Sequence, residues 1–463
     1  MLLIRITCSI QARCLPRNPG TEWWSTVLKE ALQQKLDYEE LANCMRCGFC
    51  QPACPTFRET GYEAASPRGR IALMKAVADG VMEPDKDFVD QMNLCLGCRA
   101  CEPVCPAGVP YGQLIEQTRE AIEQEQDHPW YIRMARKTAF THLFPHQRRL
   151  NRLGGLLGFY QRSGLQTAVR KLGVLNILPK QLKEMEAIMP DASSKGLSER
   201  MGATVIPAVG ESKQRVGMFH GCIMDVLFQE TNVNTVRLLA EAGYEVVIAP
   251  GQVCCGALHA HSGEREAARS LARKNIEAFQ QAKVDLIISN AGGCGALLQE
   301  YDHLLHDDPD WHEQAKWFAS RVKDVSEVLA PSVEPEAWDE LPQRVTYQSS
   351  CHLRNGMKVT KEPVSLLQSI PGATYVALRE GDRCCGSAGI YNLVQPEMSG
   401  NLLNEKMEHV KATQADILVT SNPGCLLQMK AGIKRAGLED RMEAVHLVDL
   451  LARVSNQSEM SSK

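Results

Sequence analysis

Two cysteine runs constrain this chain more than any other feature. The first reads Cys44-Met-Arg-Cys47-Gly-Phe-Cys50-Gln-Pro-Ala-Cys54-Pro55, and the second reads Cys95-Leu-Gly-Cys98-Arg-Ala-Cys101-Glu-Pro-Val-Cys105-Pro106. Both follow C-x₂-C-x₂-C-x₃-C-P, the bacterial spacing for [4Fe–4S] clusters. Three thiolates two residues apart can wrap one side of a cubane. The fourth, held by its proline, reaches the other cluster in proteins with two such runs. The expected ligand sets are therefore Cys44, Cys47, Cys50 and Cys105 for cluster 1, and Cys54, Cys95, Cys98 and Cys101 for cluster 2. Zinc sites prefer two separated C-x₂-C pairs, which these runs do not resemble.

The other cysteines are patterned too. Of 18 in 463 residues, only Cys8 and Cys14 fall outside a motif. A first unit has Cys222, Cys254-Cys255-Gly256 and Cys294. A second has Cys351, Cys384-Cys385-Gly386 and Cys425, with corresponding cysteines 129 to 131 residues away. The surroundings repeat as well. Strand-like Val216–Phe219, Glu245–Ala249 and Asp285–Ser289 alternate with helical Thr231–Ala242 and Glu264–Gln281. In the second unit, Val345–Tyr347, Ala373–Leu378 and Asp416–Thr420 are strand-like, and Ser399–Thr413 is helical. Such alternation predicts parallel sheets. Sites on them form beyond the carboxyl ends of strands, where all six cysteine segments fall. Four thiols would converge in each unit, suited to a further iron–sulfur cluster, to zinc, or to a reactive thiol pair.

Around the ferredoxin-type runs the periodicity is helical. It predicts helices over about Glu22–Leu41, Ile71–Ala78, Asp85–Leu94 and Gly112–Glu125, with Arg68 and Arg70 near the anionic clusters. From His128 to Lys183 there are eleven Lys or Arg and no Asp or Glu. Ile132, Phe140, Leu143, Phe144, Leu150, Leu153, Leu156, Leu157 and Phe159 interleave with them. This predicts basic helices with one buried face, either docking on anionic lipid or an acidic partner, or simply solvated. Gly154, Gly155 and Gly158 argue against a single rigid helix there.

The expected fold class is multidomain α and α/β: a helical ferredoxin-like domain followed by two repeated α/β units with parallel strands. The expected limits are a disordered tail at 1–21, a two-cluster domain at 22–127, and a basic helical connector at 128–205. The first Cys-Cys-Gly domain takes 206–332, the second 333–457, and a tail 458–463. Apolar content of 44% and charged content of 23% suit a folded soluble protein. A net charge of −4 gives no global field for nucleic acid. Metal-type cysteine spacing without a secretory leader points to a reducing cytoplasm. No run approaches the ~18 apolar residues of a membrane span, so any membrane contact is peripheral. No G-x-G-x-x-G after a strand, no P-loop and no paired histidine base is present, so hydride chemistry needs a partner's flavin.

The order of these motifs, with Cys47-Gly-Phe-Cys50, Cys54-Pro-Thr, Pro67-Arg-Gly-Arg-Ile, Cys105-Pro-Ala-Gly-Val and Cys384-Cys-Gly-Ser-Ala-Gly, resembles the iron–sulfur subunit of bacterial glycolate oxidase (glycolate dehydrogenase) over about residues 27–455. The resemblance implies an electron-transfer subunit of an oxidoreductase complex. It would take electrons from the FAD of partner glycolate oxidase subunits and pass them to a respiratory, quinone-linked acceptor. Related architectures serve lactate and glycerol-3-phosphate dehydrogenases and heterodisulfide reductases. In the last, the Cys-Cys-Gly unit ends in C-x₂-C. Here Ala291 and Asn422 stand at the first cysteine of that pair, which counts against a non-cubane cluster and a disulfide-reducing activity.

Overall fold

The computed structural model describes residues 19–177, 180–332 and 338–455. Cys8, Cys14, most of the expected N-terminal tail and all of the C-terminal one lie outside them. The architecture is multidomain, helical at the N-terminus and α/β beyond it.

In the N-terminal part, helices Pro19–Lys35, Pro67–Ala78, Lys86–Leu94 and Tyr111–Glu125 enclose a core of Leu28, Leu32, Met74, Val77, Phe88, Met92, Leu114 and Ile115. The single helix expected over Glu22–Leu41 is two. Asp37 accepts a hydrogen bond from the Glu40 N–H at 3.1 Å and so caps a new helix, Tyr38–Ala42. Ser66 does the same for Pro67–Ala78, accepting from Gly69 N–H at 3.0 Å, with proline at the first helical position.

The basic connector is a string of short helices in which Gln147–Arg162 runs straight through all three glycines. The expectation of a broken helix is therefore corrected. The glycines serve close packing: a Cβ at Gly154 would lie 2.4 Å from the Ser193 carbonyl oxygen and 2.6 Å from Val226 Cγ1. One at Gly158 would lie 2.4 Å from the Ala192 carbonyl oxygen. The expected single apolar face also splits. Phe140 and Leu150 are buried, while Leu153, Leu156 and Phe159 are 49%, 68% and 65% exposed beside the exposed Arg148, Arg149 and Arg152.

Among the described residues, nine strands follow. β1 (Val205–Ile206), β2 (Gln214–Phe219), β3 (Tyr244–Val247), β4 (Leu286–Ser289) and β5 (Val322–Asp324) form one sheet in the order β1-β3-β2-β4-β5. It is parallel except for the β1–β3 edge pair. β6 (Arg344–Tyr347), β7 (Thr374–Tyr375), β8 (Ile417–Thr420) and β9 (Glu443–His446) form a second, all-parallel sheet in the order β7-β6-β8-β9. β7 is shorter than the expected Ala373–Leu378; beyond it the Val376 N–H still donates to the Val345 carbonyl and the Val376 carbonyl accepts from the Thr346 hydroxyl, both at 2.8 Å. β1 and β5, of two and three residues, are too short to carry a periodic signal, and neither they nor the four-residue β9 figure in the sequence reading.

The two α/β units share one core, with Val216, Val236, Tyr244 and Val325 packed together with Val345, Tyr347, Leu366 and Leu447. They also interlock through non-equivalent segments, one after β4 and one after β6. Helix Gly292–Gln299 of the first meets the turn His352–Gly356 of the second. A Cβ on Gly292 would stand 2.7 Å from Leu353 Cβ, and one on Gly295 2.4 Å from Met357 Sδ. Among the described residues, no helix is long and apolar enough to cross a membrane.

Candidate metal centres

The first cavity, of about 420 Å³, is lined by Cys44, Cys47, Cys50 and Cys105, with Cys101, Arg68 and Tyr111 at its wall. Cys47 is exposed and its three companions are half-buried. The second, of about 290 Å³, is lined by Cys54, Cys95, Cys98 and Cys101, all buried, with Thr56, Arg70 and Tyr111. Cys105 thus faces the first run's cavity, and Cys54 the second's. Cys54 is the extended residue between the short helix Cys50–Ala53 and a new helix that starts at Pro55. With Cys101 on the wall shared by both, each cavity has its own expected set of four thiols, the donor number and chemistry a [4Fe–4S] cubane requires.

Each run wraps its cavity by the same backbone device. Two residues per run are left-handed, at the second and fourth positions after the first cysteine. They are Arg46 (φ 56°) and Gly48 (φ 89°) in one, Gly97 (φ 66°) and Arg99 (φ 59°) in the other. Glycine and arginine exchange places between the runs. An arginine at positive φ carries a steric cost, so the loop must be held by other contacts. For Arg46 the hold is its carbonyl, which accepts from Arg68 Nη1 at 3.1 Å. For Arg99 it is the side chain, paired with Glu102 at 2.9 Å and with Glu300.

Arg68 and Arg70, two residues apart in the first turn of one helix, differ sharply. Arg68 lies at the surface, paired with Glu63 at 2.6 Å. Arg70 is fully buried against the second cavity. Its Nε donates to the Gln91 carbonyl at 2.7 Å and its Nη2 to Thr56 Oγ1 at 3.1 Å, while Nη1 has no protein partner. Burial opposes its charge, but the neighbouring Tyr111 and the Cys95 and Cys54 thiols more than restore it, so its pKa lies above the usual arginine value. Burial also pushes the Cys95 thiol up, but Arg70 and Arg119 bring it below its ordinary range. The Tyr111 hydroxyl reaches the same sulfur at 3.6 Å. Tyr111 and Arg119 were not singled out in the sequence, where nothing marks a tyrosine and an arginine on an amphipathic helix as neighbours of a thiol.

In the first α/β unit, Cys222 follows β2, Cys254 and Cys255 follow β3, and Cys294 follows β4. Cys222 and Cys254 sulfurs are 3.5 Å apart, and Cys255 hydrogen-bonds to the Cys254 and Cys294 thiols. Gly256, at φ 89°, makes the sharp turn after the pair. In the second unit Cys351, Cys384-Cys385 and Cys425 follow β6, β7 and β8. Cys384 bonds to Cys351 and Cys385, and Cys385 to Cys425. The structure thus brings together the four cysteines of each unit.

The two centres differ in charge. Hydrogen bonding and burial push Cys222 and Cys254 up, and their neighbour Asn275 is neutral: it donates to the Cys254 carbonyl at 3.1 Å and to Tyr301 Oη at 2.9 Å. In the second unit the corresponding position is Lys406, 2% exposed, its Nζ on the Glu380 carbonyl. Hydrogen bonds from Cys384 and Cys425, then the Ser387 backbone N–H and last Lys406, outweigh burial and hold Cys385 well below the thiol range. Lys406 was also overlooked in the sequence. The available signal was the repeat itself: an offset of 131 pairs Gly256's neighbour Ala268 with Gly386's neighbour Ser399, and Asn275 with Lys406.

The positions once set against a fifth cysteine are also placed. Ala291 is buried at the start of helix Gly292–Gln299. Asn422 bridges the units, accepting from Gly293 N–H at 3.0 Å and approaching Cys425 Sγ at 3.7 Å. The second unit also seals onto the second cavity. Asn355 Nδ2 donates to the Cys98 carbonyl and the His352 ring meets the Gly97 carbonyl, both at 2.9 Å. Tyr391 Oη donates to the Leu94 carbonyl at 2.8 Å, and Cys98, Cys384 and Tyr391 share one apolar cluster. Burial, then Cys351, pushes the Cys98 thiol well up.

Two four-thiol cavities on ferredoxin-type runs, joined to a repeated cysteine-rich α/β pair, define an iron–sulfur electron-transfer protein. Profiles of known families agree. Residues 40–109 match a 4Fe-4S dicluster domain, residues 216–299 and 345–430 a cysteine-rich domain, and residues 132–189 the linker region of the glycolate oxidase iron–sulfur subunit. The chain is 55% identical over 429 residues to the probable glycolate oxidase iron-sulfur subunit of Bacillus subtilis (strain 168), covering 92% of this chain and 96% of that one. It is 30% identical over 390 residues to the glycolate oxidase iron-sulfur subunit of Escherichia coli (strain K12), covering 83% and 88%. Lactate utilization protein A of Oceanobacillus iheyensis is 31% identical over 238 residues, 51% of this chain and 96% of that one. The chain belongs to the glycolate oxidase iron–sulfur subunit family.

Proposed function

We propose that this chain is the electron relay of a flavin-dependent 2-hydroxy-acid dehydrogenase complex acting on glycolate, passing electrons from a partner's FAD to a quinone-linked respiratory acceptor. The observation that carries the reading is the contiguity of the thiol sets, from the exposed first cavity through the buried second cavity to the Cys351 centre packed on it. Cys44, Cys47, Cys50 and Cys105 hold one [4Fe–4S] cluster; Cys54, Cys95, Cys98 and Cys101 hold the other. Bound there, the clusters supply two one-electron stations, matched to the two electrons a reduced flavin releases. The chain's own residues fix those stations and shield the second from water, and Arg70 offsets its negative charge.

The centre of Cys351, Cys384, Cys385 and Cys425 suits a further cluster or zinc, with Lys406 as counter-charge. The centre of Cys222, Cys254, Cys255 and Cys294 lacks such a cation and suits the same metals less well. The functional units follow the limits 22–127, 128–205, 206–332 and 333–457. The complex works at the cytoplasmic face of the cell membrane. Exposed Leu153, Leu156 and Phe159 beside Arg148, Arg149 and Arg152 support peripheral attachment, since apolar and basic groups together suit an anionic lipid surface.

Iron, sulfide and zinc content of the anaerobically purified chain, with electron paramagnetic resonance after reduction, tests the assignment. About eight irons and eight sulfides are expected from two cubanes. Fewer than about four irons, with no reducible signal, would remove the relay.

A further inference from the structure

The eight ferredoxin-run cysteines are not equally accessible. Cys54, Cys95, Cys98 and Cys101 are 7–8% exposed, and the Cys222, Cys254, Cys255, Cys384, Cys385 and Cys425 sulfurs are buried in the α/β units. Cys47 alone among the described cysteines is exposed. Electron transfer falls off steeply with distance, so the first cavity's rim is the face through which a large partner can reach this chain's thiol centres. The residues on that rim are unusual for solvent-facing positions. Met45 and Phe49, interleaved with Cys44, Cys47 and Cys50, are 65% and 64% exposed, and Val104, next to Cys105, is 42% exposed. Tyr62, beside the Glu63 that holds Arg68, is 71% exposed. Nothing in the cluster-holding role requires large apolar groups to stand out of these loops, and clustered exposed apolar side chains mark interaction sites.

We propose that the rim formed by Met45, Phe49, Val104 and Tyr62 is the docking surface for the electron-donating flavoprotein subunit. The inference rests on the relay reading and adds the place where electrons enter. The side chains project outward from loops rather than lining a cleft, so they fit the face of a protein and not a small molecule. A lipid surface is the poorer occupant: Arg68 at this rim is already engaged by Glu63, whereas the connector holds the exposed Arg148, Arg149 and Arg152, none of them in an ion pair among the described residues, beside exposed Leu153 and Leu156. An apolar centre flanked by Arg46 and Arg68 has the composition of a protein interface, in which aromatic residues, methionine and arginine are enriched.

The test uses the full-length, cluster-loaded chain and co-expressed flavin-containing glycolate oxidase subunit. Variants Met45→Asp and Phe49→Asp, singly and together, are compared with Val81→Asp, which alters an equally prominent apolar residue away from the rim (82% exposed). Iron content and direct reduction by dithionite report on the clusters. Binding to the flavin subunit, and cluster reduction by that subunit after substrate addition, report on docking. The double variant should bind about tenfold more weakly or worse, the scale of a disrupted apolar hot spot. It should be reduced correspondingly slower by the flavin subunit, with iron content and dithionite reduction unchanged and Val81→Asp behaving as wild type. Unchanged binding and flavin-driven reduction in the double variant would overturn the docking surface. So would a change from dimer to monomer of the isolated chain with flavin-subunit binding intact, which would make the rim a self-interface. If the wild-type clusters are present yet never accept electrons from the flavin subunit, the relay reading fails instead, so the two failures are distinguishable.

Discussion

Replacing Arg70 by methionine should lower the reduction potential of the second cluster by about 120 mV. The guanidinium is fully buried, its Nη1 has no protein partner, and it lies against Cys54 and Cys95. A unit charge about 6 Å from the cluster, at an effective dielectric of about 20, favours the extra electron by about 3 kcal/mol. Each factor of ten in a one-electron equilibrium is about 59 mV, or about 1.4 kcal/mol, which gives the stated shift. The sign follows from charge: reduction adds a negative charge beside a cation, so removing the cation disfavours the reduced state. Methionine keeps most of the volume but leaves the Gln91 carbonyl and Thr56 hydroxyl without their donor. Iron content of the variant must therefore be checked first. The assay is a redox titration followed by electron paramagnetic resonance, with Arg70→Lys as the charge-preserving control. Lysine should recover most of the potential. A shift below about 30 mV in Arg70→Met with both clusters retained, or an equal shift in Arg70→Lys, would refute the electrostatic account.

Cys98→Ser should cost one cubane, about four irons, and block electron exit while substrate still reduces the partner flavin; undiminished turnover with a soluble quinone analogue would contradict the assignment. Gly154→Val should destabilise the chain by about 1–3 kcal/mol in denaturant titration, because the new side chain meets the Ser193 carbonyl and Val226; a loss within error would mean the 190–194 segment yields freely. Reversing Arg148, Arg149 and Arg152 to glutamate should release the protein from vesicles containing anionic phospholipid, seen as loss of co-sedimentation at low salt; unaltered sedimentation would leave the connector a solvated strut.

The fold was largely legible because its signals are periodic. Helices around Met74, Met92 and Leu114 announce themselves by three- and four-residue spacing, and the strands β2, β4 and β8 by short apolar runs ahead of a cysteine. What escaped had no period: a two-residue edge such as β1, or the capping of a new helix by Asp37 in the middle of an amphipathic stretch. Gly154 and Gly158 were misread because glycine weakens a helix in isolation. Here the contact with residues 192 and 193 leaves no room for a Cβ, and only the fold reveals that contact. For the candidate centres, spacing alone grouped the cysteines, since cluster chemistry writes itself into sequence. The charges around them did not. Arg70 and Arg68 sit two residues apart in one motif, and only burial separates a cation sealed against the second cavity from one on the open wall of the first. Lys406 is one lysine among many until the repeat is superposed on itself.

The interlocked glycine faces at Gly292, Gly295 and Gly356 have a consequence for assembly. Two copies of one fold packed against each other would ordinarily be subunits, in equilibrium with monomers and populated according to concentration. Here a covalent chain holds both copies, so their pairing does not weaken on dilution. The two copies could then diverge, one taking a lysine where the other keeps an asparagine, without a second partner ever competing for the seam.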